Sequence, residues 1–328
     1  MNVDPGKIAF SDAEHVTLRQ QVREQMSARN IAQAAVGRQA DVPGSTLSQY
    51  LSGTYTSEPG RTDVARALTR WLRSLGKQDE LRRQMPVDPT FVPMQGTARI
   101  TGALDYARMA GDLVVIAGAP GVSKTSTARQ YKADNPRIWI APMDTTTSGA
   151  PMMLLEVLAA MGLADVKGPP AYLRRRICEI AEDAPGLLIV DEGQHCSDKA
   201  IEALRAINDR SGLGIAILGN EELYAKVGTA GGKAAFAQVS SRIGHRDSIG
   251  TPDPRDAAAL AHAWASTNGE EIGPQEVAFC QSIAAKPGGL RNVSKTFRKA
   301  LIGARSAGEP LDLSHLQAAF AQLAGRTR

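Results

Sequence analysis

At 328 residues, with 43% of them hydrophobic and a formal net charge of +4, the chain is long enough for two or three ordinary domains with their own cores. No run reaches the roughly 18 to 20 apolar residues that a membrane span requires, and the opening MNVDPGKIAF has no apolar signal core. A soluble protein that stays in the cytoplasm is therefore expected, and Cys178, Cys196 and Cys280, odd in number and widely spaced, fit neither a disulfide framework nor a zinc site. The small basic surplus lies at the two ends of the chain rather than in 86–250, so an anionic partner such as nucleic acid would be met there.

Residues 11–85 read as all-helical. Within VGRQADVPGSTLSQYL, residues 36–51, an apolar helix end is followed by a break around Asp41-Val42-Pro43-Gly44 and a short second helix carrying Leu47 and Leu51. That spacing predicts a helix-turn-helix. Gly37 takes the small position where two helices cross, Val42 plugs the turn, and Thr46, Ser48 and Gln49 face outward as candidate DNA contacts. The segment resembles the Cro-like DNA-binding family, with Asp41 standing where that family usually has glycine; the alternative is a helical hairpin used for protein contact. A further helix is predicted over 63–75, where Val64, Ala67, Leu68, Trp71, Leu72 and Leu75 fall at helical spacing and read as core.

Three prolines within 86–93 exclude helix and mark the first domain boundary, with a linker over 86–97. A helix over 98–110 then leads into LVVIAGAPGVSKT, residues 113–125. This apolar run of strand type breaks into a loop and ends in Lys124-Thr125 at the start of a helix over 124–133. Gly118 and Gly121 let backbone N–H groups of the stretch Gly118, Ala119, Pro120, Gly121, Val122, Ser123 turn inward around a polyphosphate. Lys124 supplies a point charge to the β- and γ-phosphates, the Thr125 hydroxyl suits Mg²⁺, and Ser126 completes the set. Ser123 occupies the place of the last glycine of G-x-x-x-x-G-K-[ST], so a residue with a Cβ must fit a tight turn.

A short strand over 138–141, an apolar helix over 151–161 and a helix bearing Arg174, Arg175 and Arg176 come next; three consecutive arginines fan around a helix, so a DNA-facing role competes with plain solvation. Leu187-Leu188-Ile189-Val190 is apolar without alternation, which predicts a strand buried on both faces that delivers Asp191 and Glu192 to its C-terminal end. Asp191 would hold Mg²⁺ through water and Glu192 would polarise the water that attacks the γ-phosphate. The strand between them in sequence suggests a phosphate-loop fold of the additional-strand type, with the two motifs side by side. After a helix over 198–209 and a strand over 214–218, Asn220 is placed to orient that water, although Asn220-Glu221-Glu222 equally suits a helix cap. Ser240-Ser241-Arg242-Ile243 offers Arg242 to a neighbouring subunit's γ-phosphate, and the glycine-rich 228–232 reads as a mobile piece.

From Thr251 onward the pattern is helical, over 255–267, 275–284, 290–304 and 313–323. Lys286, Arg291, Lys295, Arg298, Lys299 and Arg305 crowd 286–305 with no acidic residue among them. Arg291 sits at a helix start, where a cation is electrostatically out of place unless it faces an anion such as a nucleotide phosphate. Lys295, Arg298 and Lys299 are candidate DNA contacts or simply a solvated face.

Phosphate loop, Asp-Glu strand, strand-end Asn, Ser-Arg and an Arg-bearing helical lid stand here in the order used by AAA+ ATPases. Together with the helix-turn-helix, Lys167-Gly168-Pro169 before the arginine cluster, His195 after Asp191-Glu192, Leu218-Gly219-Asn220, and Lys286-Pro287-Gly288 ahead of Leu290-Arg291, the whole resembles the phage Mu transposition protein B family from about residue 20 to 324. The resemblance implies an α/β fold: an AAA+ P-loop NTPase core with a parallel sheet over 98–250, an N-terminal all-helical domain over 1–85 and a C-terminal helical lid over 251–328. It implies an ATPase using ATP and Mg²⁺ that assembles as a helical filament on double-stranded DNA with little sequence preference and activates a partner transposase. Carried over by position, Glu192, Asn220, Arg291 and Arg242 are the catalytic set, with Arg246 close enough to compete with Arg242. Ser123 departs from the family's glycine, which bears on hydrolysis rate more than on fold. The runner-up is a transcription regulator with a nucleotide-switched oligomeric state; a helicase-loader or secretion-type ATPase fits the N-terminal pattern less well.

Overall fold

The computed structural model describes residues 10–182, 186–228 and 243–325. The chain falls into two compact units, Met1–Met85 and Pro86–Arg328.

The first unit consists, among its described residues, of α1 (Asp12–Ala28), α2 (Gln33–Ala40), α3 (Gly44–Ser52) and α4 (Gly60–Gln84). Ser11 and Glu14 cap α1 reciprocally, each satisfying a backbone N–H that the helix start leaves unpaired. Asp41 ends α2 at φ 57°, a left-handed conformation that Asp tolerates better than most side chains. Val42 is buried in the turn and its N–H donates to the Gly37 carbonyl at 2.9 Å. A Cβ on Gly37 would lie 2.9 Å from the Val42 carbonyl oxygen, so any larger residue would open the helix crossing. Leu47, Tyr50 and Leu51 bury one side of α3 against Val64, Leu68, Trp71 and Leu75, and Tyr50 Oη shares a 2.8 Å hydrogen bond with His15 Nδ1 of α1. Trp71 packs, with its Nε1–H donated to Gln39 at 2.9 Å. Helix α4 continues well past Leu75, because 76–84 has lost its apolar period but keeps good helix formers, and Asp79 pairs with Arg29.

The second unit is built on a parallel sheet of β1 (Leu113–Gly118), β2 (Ile138–Pro142), β3 (Leu187–Asp191), β4 (Gly214–Gly219) and β5 (Ile243–Ile249), in the order β2-β3-β4-β1-β5. Around it lie α5 (Gln95–Ala110), α6 (Lys124–Asp134), α7 (Ala150–Ala160), α8 (Pro170–Ala181), α9 (Asp198–Ser211) and α10 (Glu221–Gly228). Both faces are covered: Val115, Leu188, Val190, Ile215 and Ile217 pack with α7, α8 and α9, whereas Val114, Ile116, Leu187, Ile189 and Leu218 pack with α5 and α6. This explains the unbroken apolar runs, since successive side chains of a doubly covered strand both need apolar neighbours.

Two expectations are corrected here. The loop-bearing β1 and the carboxylate-bearing β3 are not adjacent, because β4 lies between them, paired to both, and the strand over 138–142 is the outer one. Strand β5 was not expected at all: IGHRDSI is mostly polar, as is permitted in an outer strand that, among the described residues, pairs with β1 alone, and it carries no apolar signature.

The proline-spaced stretch after Met85 has no regular structure, yet it is held within the second unit. Asn268 exchanges two hydrogen bonds of 2.9 Å with the backbone of Val87, Arg298 pairs with Asp88, and Val92 and Met94 pack on the core formed by the last four helices. Helix α5 starts three residues earlier than expected, at Gln95, because buried Asp256 accepts the Gln95 and Gly96 N–H groups at 2.8 and 3.0 Å and caps it from another helix. Those last helices are α11 (Pro254–Thr267), α12 (Pro274–Ala284), α13 (Gly289–Ala307) and α14 (Leu313–Leu323), closed around Trp264 stacked on Phe297 with Leu290, Leu301 and Leu316. The three cysteines are buried free thiols, and desolvation pushes Cys196 up to about 11 and Cys280 up to about 12. Among the described residues, no helix is long and apolar enough to cross a membrane.

Candidate nucleotide-binding site

Strand β1 is buried along its whole length and ends at Gly118; five residues later the chain enters α6. The first backbone N–H groups of a helix have no intrahelical partner and the aligned peptide dipoles leave that end positive, so the turn is suited to an anion. Gly121 sits at φ 88° and Ser123 at φ 68°, both in the left-handed region. Val122, expected among the ligand-binding positions, sends its side chain into the core beside Ala128 and Ile249 and so contributes backbone only. Ala119 and Pro120 are on the surface side of the turn, Pro120 exposed. The Ser123 carbonyl accepts from Ser126 Oγ at 2.9 Å and from Thr127 Oγ1 at 2.8 Å, which locks the first turn of α6.

Lys124 Nζ donates to the carbonyls of Gly118 at 2.8 Å and Ala119 at 3.1 Å, within the loop it is to serve. Desolvation lowers its pKa, Arg291 lowers it further, and the carboxylates of Glu192 and Asp191 oppose both. Four of the expected site residues from β1–α6, β3 and α13 therefore share one electrostatic neighbourhood. Thr125 Oγ1 donates to Asp191 Oδ2 at 2.8 Å, across the sheet from one motif to the other. A hydroxyl and one buried carboxylate in contact form a donor set that fits Mg²⁺, which prefers few protein ligands and completes its octahedron with water and phosphate oxygens. The second Asp191 oxygen accepts the Glu192 N–H at 3.0 Å.

Glu192 lies at the end of β3 in a left-handed conformation, φ 55°, with its side chain exposed. Asn220, at the end of β4, does act as a cap: its Oδ1 accepts the N–H groups of Glu222 at 3.0 Å and Leu223 at 3.4 Å at the start of α10. Its amide nitrogen is the part of the side chain that a water or phosphate oxygen would engage. Arg291 is in the first turn of α13, and the preceding residues meet the phosphate loop directly: the Leu290 N–H donates to the Gly121 carbonyl at 3.0 Å. A Cβ built on Gly121 would come within 2.0 Å of the Gly288 carbonyl oxygen.

Several expected residues are placed elsewhere. Arg242 and the segment 229–242 lie outside the described residues. Arg246 is on β5 opposite Val115, three positions before the strand end at Ile249 that flanks Gly118. In α3, Ser48 and Gln49 are exposed and Thr46 is half-buried. Arg175 is exposed and lies over the Tyr172 ring, while both Arg175 and Arg176 pair with Glu179; Arg174 is half-buried. Arg298 is committed to Asp88 and to the face of Trp264, which makes it a strap contact rather than an open cation, whereas Lys295 and Lys299 are exposed. Two contacts at the site were not expected from sequence: the Gly288-Gly289 pair against Gly121, hinted at by a Gly-Gly just ahead of Arg291, and Gln194, which hydrogen-bonds to Glu192 and to the Asn220 N–H and for which the sequence holds no signal.

Ser123 carries a measurable consequence. A non-glycine residue in the left-handed region costs about 1 kcal/mol or somewhat more, and this cost is already borne by the ligand-free chain, so Ser123→Gly is expected to raise stability by up to about 1 kcal/mol. Equilibrium unfolding of the two proteins in denaturant checks this; unchanged or lower stability would show that the loop holds no such strain.

A family model described as "Mu B transposition protein, C terminal" matches residues 241–323, and an AAA domain model matches 107–227. The ATP-dependent target DNA activator B of Escherichia phage Mu is 31% identical over 282 residues, covering 85% of this chain and 86% of that protein. The Mu-like prophage FluMu DNA transposition protein B of Haemophilus influenzae is 28% identical, covering 86% and 96%. Among solved structures, the Aeropyrum pernix ORC2 protein in its ADPNP-ADP complexes aligns with a TM-score of 0.55 at 13% identity, over 72% of this chain and 69% of that one, a likeness of fold. With a phosphate loop, a Thr125–Asp191 contact and a helical lid closing on that loop, and with such identity over most of its length, the chain is an AAA+ ATPase that belongs to the phage Mu B transposition protein family.

Proposed function

We propose that copies of this chain assemble head to tail as a helical filament on double-stranded DNA when ATP and Mg²⁺ are bound, with little sequence preference, and that the filament presents target DNA to a partner transposase in the bacterial cytoplasm. The observation that carries the reading is the convergence of Lys124, Thr125, Asp191, Glu192 and Arg291 on one loop and one helix start. In this reading Gly118 through Ser126 cradle the phosphates, and Lys124 and Arg291 meet the β- and γ-phosphates. Thr125 and Asp191 would hold the ion, which when bound neutralises phosphate charge. Glu192 takes up the proton of the attacking water and Asn220 positions that water. Arg242 or Arg246 of an adjacent copy would complete the site, so that assembly and hydrolysis depend on each other, and a head-to-tail interface that does not close makes a filament. Ser48, Gln49 and Thr46 of α3, Arg174, Arg175 and Arg176 of α8, and Lys295 and Lys299 of α13 are the proposed DNA-facing groups.

The test is electron microscopy of the full chain with ATP and random-sequence duplex. Continuous filaments are expected from the intact protein and few or none from Lys124→Ala; absence of filaments from the intact protein overturns the reading. The helix-turn-helix geometry favours one other reading, a transcription regulator. That reading requires a specific site bound about 10³-fold or more above random DNA, for which α3 offers only Gln49 as a base-reading side chain of the usual kind.

A further inference from the structure

The turn after β3, Gly193–His195, is a single tight one: the His195 N–H donates to the Glu192 carbonyl and the Cys196 N–H to the Gly193 carbonyl, each at 3.0 Å. It is pressed against β4, since a Cβ on Gly193 would fall 2.3 Å from Ile217 Cγ2. From this turn the Gln194 side chain reaches two groups. Its Nε2 donates to Glu192 Oε2 at 2.6 Å, and its Oε1 accepts the backbone N–H of Asn220 at 3.2 Å. Only one orientation of the amide serves both, because a carboxylate needs a donor and an N–H needs an acceptor.

The geometry points to Gln194 as the positioning residue for Glu192 in ATP hydrolysis. Glu192 is exposed, and an unrestrained carboxylate on a flexible arm spreads over several rotamers. Gln194 engages one carboxylate oxygen, leaves the other for the attacking water, and ties the arm to the end of β4, where Asn220 sits. The two groups proposed to handle the water are thereby held at a fixed separation, which is what orientation-dependent catalysis requires. The inference rests on the reading of Glu192 as the water-activating carboxylate.

Three variants of the full chain separate this role from a structural one. Gln194→Met removes both hydrogen bonds at similar size, Gln194→Lys keeps a donor for Glu192 but no acceptor for Asn220, and Gln194→Glu keeps the acceptor but sets a like charge against Glu192. DNA-stimulated ATP turnover is expected to fall about tenfold in kcat for Gln194→Met and further for Gln194→Glu, and by a smaller, intermediate factor for Gln194→Lys, which still restrains Glu192 but no longer ties it to β4. KM for ATP should stay within about twofold throughout, because Gln194 hydrogen-bonds to neither the phosphate loop nor Lys124. If Gln194→Glu matches the unaltered chain, or if Gln194→Lys is as impaired as Gln194→Met, the inference is overturned and the contact is structural. Glu192→Gln measured alongside distinguishes the failures: retained hydrolysis there removes the Glu192 reading, whereas lost hydrolysis there with unaffected Gln194 variants removes this inference alone.

Discussion

Glu192→Gln is expected to lower ATP turnover by about 10²-fold to 10⁴-fold, the usual worth of a positioned general base, while ATP binding persists. The amide has nearly the same shape but cannot take a proton from water. The site should tolerate it sterically, because Glu192 is exposed and its carboxylate touches Gln194 alone among the side-chain hydrogen bonds of the described residues. The Glu192 carboxylate also favours the Lys124 ammonium, ahead of Asp191, so its loss leaves that role to Asp191 and moves the Lys124 pKa further down. Binding should therefore weaken modestly at high pH and little at neutral pH. Steady-state phosphate release together with fluorescent-nucleotide binding checks both parts. A filament that forms with ATP and then fails to dismantle is the assembly counterpart. Near-normal phosphate release from the variant would remove Glu192 from the chemistry.

The second large effect is expected at Gly121. Its φ of 88° strains any residue with a Cβ, and that Cβ would meet backbone, the Gly288 carbonyl oxygen at 2.0 Å and its carbon at 2.6 Å, rather than a flexible side chain. In Gly121→Ala the start of α13 must withdraw, and the Leu290 N–H loses the Gly121 carbonyl it holds at 3.0 Å. About 1 to 2 kcal/mol of left-handed strain and about 1 kcal/mol for the hydrogen bond combine to roughly 2 to 3 kcal/mol. Where the variant's loop escapes that cost by leaving the conformation that cradles phosphate, ATP binding must restore it, and affinity falls by up to about 100-fold. Gly102→Ala serves as the control, because Gly102 is an exposed glycine inside α5 with open space around it, where alanine should stabilise by up to about 1 kcal/mol. Calorimetric titration with ATP compares them, and an unchanged affinity in Gly121→Ala would show that the loop and the lid do not depend on each other for binding.

Both effects depend on parts of the molecule that differ in how far sequence reveals them. The phosphate loop is legible because its chemistry is local: strand, turn, Lys124 and Thr125 follow one another within thirteen residues, and the left-handed turn shows as a residue type at Gly121 though not at Ser123. Strands β1, β3 and β4 announce themselves because burial on both faces demands continuous apolar runs. Asp41, Gly37 and Val42 mark the turn of the first unit for the same reason, as neighbours along the chain.

What the amino-acid order alone settled was thus the identity of most elements, the residues of the loop and the carboxylate strand, and membership of a family recognised by the order of its motifs. Folding in three dimensions decided the rest: β4 inserted between β1 and β3, a polar β5 completing the sheet, Asp256 capping α5 from 160 residues away, Arg298 drawn to Asp88, Gln194 joining Glu192 to Asn220, and Gly288 laid against Gly121. The reason is physical. Local backbone preferences and the burial period of one segment are written in that segment, whereas a contact between distant segments arises only when both are packed, and a glutamine or a second glycine looks the same in a sequence whether or not such a partner arrives.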